Sequence, residues 1–203
     1  MTTQSQRPKI GIILSTTREA RFADRPARWV QDIAAARGDA DYEIVDLRDY
    51  PMPFFEAVGS PRFVPNTNEV AIRFARKLEE LDGYIFVTAE YNHTIPGVLS
   101  NALSYIFNEL EHKPAAFVGY GTVGASRAVE HLRMLVVELS MVPTRFAVHI
   151  NMEPFRAMLM EGKDFGDYPY LAPTVTTMLD ELTWYTRVLK DGREVAADEA
   201  MAA

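Results

Sequence analysis

Five short apolar segments alternate with longer segments whose apolar residues recur at helical spacing. The short segments are rich in isoleucine, valine and phenylalanine, as is typical of strands buried on both faces, and they are residues 10–14, 42–47, 84–87, 115–119 and 145–150. Helices are predicted around residues 27–34 and over 66–81, 98–107, 128–139 and 174–189. This strict alternation predicts an α/β fold in which helices cover both faces of a parallel sheet.

Two strand orders are open for such a chain. One is the five-stranded order 2-1-3-4-5, and the other is a six-stranded sheet of the dinucleotide-binding type. The first is favoured because only five strands are predicted and no Gly-x-Gly-x-x-Gly follows the first of them. The length of 203 residues predicts one domain, which we place over residues 1–190, followed by a disordered, Ala-rich and charged tail over 191–203.

Composition excludes several classes of function. The chain has no cysteine, which rules out disulfides, thiolate metal sites and a cysteine nucleophile, and this fits the reducing cytoplasm that we expect as its location. The net charge of −7 argues against nucleic-acid binding. No apolar run approaches the roughly 20 residues of a membrane span, and the polar residues 1–9 lack the apolar core of a signal peptide. No histidine spacing suggests a metal site.

The loop over residues 88–97 joins the third strand to the next helix. It therefore leaves the carboxyl end of a central strand, which is where open α/β sheets bind ligands. A carboxylate, a phenol, an amide, an imidazole and free backbone N–H groups suit a flat heteroaromatic ligand with a polar edge; the candidate residues are Glu90, Tyr91, Asn92, His93 and Thr94. A ligand-free turn leading into a helix that starts near Pro96 explains this loop equally well.

Loops after the first and fourth strands provide two further candidate sites. Residues 15–21 combine hydroxyls, backbone N–H groups and arginines that suit a phosphate, although a Ser/Thr-rich helix cap with solvated arginines is the alternative. Glycines in residues 120–124 allow close approach of the backbone, or merely satisfy a turn. Strands one, three and four are neighbours in the order 2-1-3-4-5, so the three loops are predicted to form one site. The candidates from these two loops are Thr16, Thr17, Arg18, Arg21, Phe22, Tyr120, Gly121 and Gly124.

At these loops the chain resembles the NAD(P)H-dependent FMN reductase family, whose fold is a flavodoxin-like three-layer sandwich. Residues 16–21 are similar to the family's Gly-Ser-x-Arg-x-x-Ser phosphate loop. Residues 89–92 and 95–102 are similar to its Pro-Glu-Tyr-Asn and x-Pro-Gly-x-Leu-Lys-Asn-Ala motifs. Residues 121–133 resemble its Gly-rich turn and Ala-x-x-x-Leu-Arg helix. The resemblance covers about residues 9–150.

The resemblance implies non-covalently bound FMN, with NADPH or NADH as co-substrate. Hydride would pass by a ping-pong mechanism to flavin, quinone, azo or metal-oxyanion acceptors. Thr16, Arg18 and Arg21 would hold the phosphate, and backbone amides of residues 90–93 would hold the polar edge of the ring. This chemistry requires no general acid or base from the protein, and we assign no catalytic side chain. The other reading is a non-catalytic FMN-binding electron carrier or redox-sensing module.

The family commonly forms dimers, so the resemblance also implies a homodimer or homotetramer. In that arrangement the loop after strand two covers the flavin of the partner, and residues 46–53 resemble that loop. The long segment over residues 48–65 is rich in proline and aromatic residues, and it is long enough to suggest a function. The chain departs from the family pattern at several positions, among them Ser15 for Gly, Thr16 for Ser, Arg21 for a hydroxyl residue, Ala89 for Pro and Ala125 for Gly.

Overall fold

The computed structural model describes residues 7–202. Residues 1–6, which form most of the polar amino-terminal segment, and residue 203 lie outside the described residues. Five strands of this described part form one sheet, and they are β1 (Lys9–Leu14), β2 (Asp41–Asp46), β3 (Gly83–Ala89), β4 (Pro114–Tyr120) and β5 (Val142–Ile150). All neighbours are parallel and the order is β2-β1-β3-β4-β5, which is the flavodoxin-like order. The predicted fold class is confirmed.

Within residues 7–202, six α-helices complete the three layers. They are α1 (Asp24–Ala35), α2 (Glu69–Glu79), α3 (Gly97–Ser104), α4 (Ser126–Glu138), α5 (Met152–Met160) and α6 (Leu171–Ala202). Buried residues of α1, α5 and α6 pack on one face of the sheet, and those of α2, α3 and α4 pack on the other. Every residue of β3 and β4 is buried, which explains their uninterrupted apolar sequences. No helix within residues 7–202 combines the length and the apolar character that crossing a membrane requires.

The structure differs from the sequence-based expectation in two segments. The methionine-rich stretch after β5 forms α5, for which no helix was predicted. Pro154 is tolerated there because it lies in the first turn, where its missing N–H leaves no helical hydrogen bond unmade. Residues 191–202, expected to be disordered, continue α6. Their alanine and glutamate content favours helix, and Lys190 and Arg193 attach the start of this segment to Asp82 at 2.9 Å each.

Candidate functional site

The loops after β1, β3 and β4 surround one pocket of about 250 Å³ at the carboxyl end of the sheet. The three loops predicted to meet therefore do meet. The fourth wall comes from α5, which contributes Phe155 and Leu159. From the sequence no helix was predicted here, although Met152, Phe155 and Leu159 have the spacing of residues on one helix face. The pocket is lined by Arg18, Ala20, Arg21, Phe22, Ala89, Glu90, Tyr91, Tyr120, Gly121, Thr122, Phe155 and Leu159.

The loop after β3 is a tight turn with an unusual backbone. Tyr91 and Thr94 exchange two backbone hydrogen bonds of 2.9 and 3.1 Å. Between them Asn92 and His93 have φ angles of 52° and 66°, as a type I′ turn requires. Within residues 7–202 the backbone N–H groups of Asn92 and His93 have no hydrogen-bond acceptor. Both residues are exposed, so these N–H groups are available to a ligand.

Two side chains of this loop fix it to α4. The Glu90 carboxylate accepts hydrogen bonds from the Arg127 backbone N–H at 3.2 Å and from Arg127 Nε at 2.5 Å. Burial favours a higher pKa for Glu90, but the hydrogen bonds and charge of Arg127 outweigh it and lower the pKa. Thr94 Oγ1 bonds to Nδ1 of His131. The carboxylate of Glu90 is therefore committed to α4, whereas the backbone N–H groups of Asn92 and His93 remain open to a ligand.

The loop after β1 lies against the loop after β4. The hydroxyl of Thr16 is buried and lies 3.4 Å from that of Tyr120. The Phe22 ring packs on Tyr120 and on Phe155, with centroids 5.2 and 5.0 Å apart. Burial raises the pKa of Tyr120 to about 12, so this phenol stays protonated at neutral pH. Ser15 Oγ is buried and has no hydrogen-bond partner among the described residues.

The two arginines predicted to bind phosphate have different environments. Arg18 and its neighbour Thr17 are exposed on the loop. The Arg21 side chain is 2% exposed and lies between two carboxylates, 2.7 Å from Asp24 and 2.6 Å from Asp46. The hydrogen bonds that the guanidinium donates to these carboxylates, first to Asp24, raise its pKa. The charge of Arg21 is thus neutralised within the protein, whereas that of Arg18 is open to the solvent.

The two glycines predicted after β4 also differ in their surroundings. Gly124 has a φ of 59°, and a Cβ built there would lie 2.6 Å from Asn151 Oδ1. Gly121 has a φ of 132°, and a Cβ there would meet nothing within 4 Å. Gly124 therefore allows the turn to pack against β5. Gly121 provides the backbone that faces open space at the pocket.

These features fit FMN. Its phosphate needs donors, and within the described part of the chain the backbone N–H groups of residues 16–22 have no acceptor. The unpartnered hydroxyl of Ser15 and the exposed guanidinium of Arg18 lie on the same loop. The polar edge of the ring needs donors as well, and the I′ turn at Asn92 and His93 offers two.

Comparison with known proteins points the same way. A family model described as NADPH-dependent FMN reductase matches residues 8–153. An NAD(P)H-dependent FMN reductase of a Nectria species is 34% identical over 146 residues, covering 68% of this chain and 73% of that protein. A quinone reductase of Escherichia coli is 28% identical, with 78% and 82% covered. The solved structure of FerB, a flavoenzyme NAD(P)H:(acceptor) oxidoreductase of Paracoccus denitrificans, has the same fold, with a TM-score of 0.69 at 20% identity over 88% of this chain and 98% of that one.

Proposed function

The chain belongs to the NADPH-dependent FMN reductase family, and we propose that it binds FMN in the pocket between the loops after β1, β3 and β4. It is a flavin-dependent oxidoreductase that uses FMN and NAD(P)H. We further propose that it reduces quinones, flavins or similar small acceptors by a ping-pong mechanism. The observation that supports the site most strongly is the convergence of three loops at one pocket. Two of these loops, through residues 16–22 and through Asn92 and His93, carry backbone N–H groups that have no acceptor within residues 7–202.

Each part of the pocket has a proposed role in holding the cofactor. When bound, FMN supplies the redox chemistry by accepting a hydride and passing it on. The N–H groups of residues 16–22 and the guanidinium of Arg18 bind the phosphate. The N–H groups of Asn92 and His93 hold the polar edge of the ring, and Gly121 lets the backbone approach it. We assign no acid–base role to any side chain of the pocket.

The long loop between β2 and α2 is proposed to complete the site in a homodimer or homotetramer. Its side chains Phe54, Val58 and Phe63 are 89%, 97% and 79% exposed, which is unusual for large apolar groups in one segment. A second subunit that received this loop would shield these side chains from water. Size-exclusion chromatography with light scattering tests this, and a single monomeric species would contradict it.

A cytoplasmic location, proposed from the lack of cysteine, is tested by cell fractionation.

The primary experiment is visible spectroscopy of the purified protein, reconstituted with FMN where necessary. We expect a flavin spectrum that bleaches on anaerobic addition of NADPH or NADH and recovers on addition of a benzoquinone. A flavin spectrum that does not bleach would favour an electron carrier or sensor. Absence of bound flavin after reconstitution would refute the site. Initial rates measured against both substrates should give parallel double-reciprocal lines, and intersecting lines would refute the ping-pong order.

The role of Arg18 is tested by Arg18→Ala. Loss of one charge-assisted contact to phosphate should weaken FMN binding about tenfold. Arg28→Ala is the matched control, because Arg28 is an exposed arginine on α1 outside the pocket and its loss changes the net charge equally. Equal affinities of the two variants in equilibrium dialysis would remove Arg18 from the site.

A further inference from the structure

Two arginines hold the carbonyl groups of the loop after β1. Arg21 Nη1 donates to the Thr16 carbonyl at 2.6 Å. Arg48 donates to the next three carbonyls. Its Nε donates to the Thr17 carbonyl at 3.4 Å, and its Nη2 donates to the carbonyls of Arg18 and, at 3.0 Å, of Glu19. The carbonyl oxygens of residues 16–19 therefore all accept hydrogen bonds from guanidinium groups.

This arrangement determines where the N–H groups of the loop point. In a trans peptide the N–H of each residue is directed opposite to the preceding carbonyl, and the described residues contain no cis peptide. Each N–H of residues 17–20 therefore points away from the arginine that holds the carbonyl before it. None of these four N–H groups has an acceptor within residues 7–202. A run of unpaired N–H groups is a characteristic anion-binding arrangement.

Asp46 at the end of β2 accepts hydrogen bonds from both Arg21 and Arg48. Asp46, the last residue of β2, pairs in register with Leu14 at the end of β1. Its Oδ1 accepts from Arg21 Nη1 at 2.6 Å and from the Arg48 backbone N–H at 2.9 Å. Asp24, at the start of α1, binds the same guanidinium of Arg21 at 2.7 Å. Asp46 thus links both arginines, and together with Asp24 it neutralises the charge of Arg21 within the protein.

We propose that Arg21 and Arg48 are positioning residues for the anion site, which orient the peptide groups of residues 17–20 toward the phosphate without contacting it. This inference rests on the proposed binding of FMN in this pocket, and it replaces the sequence-based role of Arg21 as a direct phosphate ligand. It predicts that the two arginines govern recognition of the phosphate and leave recognition of the flavin ring unchanged. Discrimination between FMN and riboflavin is therefore the property that depends on them.

The test uses Arg48, because its side chain is exposed and its replacement leaves the core intact. The variants are Arg48→Met, which keeps the apolar stem, and Arg28→Met as the charge-matched control. Dissociation constants for FMN and for riboflavin are measured by quenching of flavin fluorescence, together with the melting temperature of the apoprotein. We expect Arg48→Met to weaken FMN binding at least tenfold, to change riboflavin binding less than twofold, and to leave the melting temperature near that of Arg28→Met.

A third variant, Arg48→Lys, separates orientation from charge. Lysine keeps the positive charge but lacks the fork that spans three carbonyls, so FMN binding should remain at least fivefold weaker than in the wild type. Full recovery in Arg48→Lys would overturn the proposal, because charge alone would then suffice. Equal losses for FMN and riboflavin would also overturn it and assign Arg48 a merely structural role. A wild-type protein that binds neither flavin would instead refute the proposed function, and this inference with it.

Discussion

The two ends of the parallel sheet differ in whether polar groups there have hydrogen-bond partners within the protein. At the amino end the buried ammonium of Lys113 donates to the carbonyls of Leu78 and Glu79 at 3.2 and 3.0 Å, and Asp82 binds both Lys190 and Arg193. At the carboxyl end Ser15 Oγ and the N–H groups of two loops have no partner within residues 7–202. These polar groups of the amino end are paired within the protein, whereas Ser15 Oγ and the unpaired N–H groups of the carboxyl end are left for a ligand.

Backbone strain does not distinguish the two ends. Asn92, His93 and Ala125 have positive φ angles at the carboxyl end, but His112 and Ser140 have them at the amino end. The difference lies in hydrogen bonding, because the N–H of His112 donates to the Ser140 carbonyl at 2.9 Å, whereas those of Asn92 and His93 have no acceptor among the described residues. A positive φ therefore identifies a candidate binding loop here only when the N–H is unpaired as well.

The largest effect expected at the amino end is a pH dependence due to Lys113. Burial lowers the pKa of this ammonium to about 8, against 10.5 in an unfolded chain. Above pH 8 the folded protein loses the proton while the unfolded chain keeps it, so the free energy of unfolding rises with pH. Between pH 7 and 9.5 the wild type should gain about 2 kcal/mol relative to Lys113→Met, by urea denaturation. A difference independent of pH would contradict a buried, titrating lysine.

The next largest effect should come from Asp82→Asn. This change leaves Lys190 and Arg193 without their carboxylate, and because the Asp82 side chain is only 15% exposed it should lower the free energy of unfolding by about 1.5 kcal/mol. FMN affinity should not change, because the ion pairs lie at the other end of the sheet. A loss of FMN affinity without loss of stability would break the contrast between the two ends.

Ser15→Ala should have opposite effects on the apoprotein and on the complex. Removal of a buried hydroxyl without a hydrogen-bond partner should raise the free energy of unfolding of the apoprotein by about 1 kcal/mol. The same change should weaken FMN binding several-fold if the ligand satisfies that hydroxyl. Thermal unfolding without FMN measures the change in stability of the apoprotein, and the shift on addition of FMN measures the change in FMN affinity. A less stable apoprotein would show that Ser15 serves the fold, as the residues of the amino end do.

Deletion of residues 195–203 should have the smallest effect. The described part of this segment, residues 195–202, is an exposed extension of α6 that begins after the last contact with Asp82. The free energy of unfolding should therefore change by less than about 0.5 kcal/mol, in urea denaturation of the truncated protein. A larger loss would show that the stabilising role of the amino end extends beyond the ion pairs of Asp82.

The pattern of residue types was enough to predict the sheet and the position of the candidate site. Strands buried on both faces must be apolar along their whole length, so their positions are visible in the residues, and strict alternation with helices allows few strand orders. The loops that meet at the pocket follow from that order, since they leave three neighbouring strands. The helix α5 was missed because nine residues with a proline near the start give a weak periodic signal.

Which polar groups of the candidate site are available to a ligand is visible in the folded chain and not in the residue pattern. Arg18 and Arg21 are equivalent in sequence, yet Arg21 is paired with Asp46, 25 residues away, and Arg18 is exposed. Likewise nothing in the residues after strand two shows that Arg48 holds the carbonyls of residues 17–19. A hydrogen bond forms only when the donor–acceptor distance falls within a range of a few tenths of an ångström, and here the donor and acceptor are far apart in the chain. Patterns of residue type locate the loops, whereas the partners of each donor are fixed only when the chain has folded.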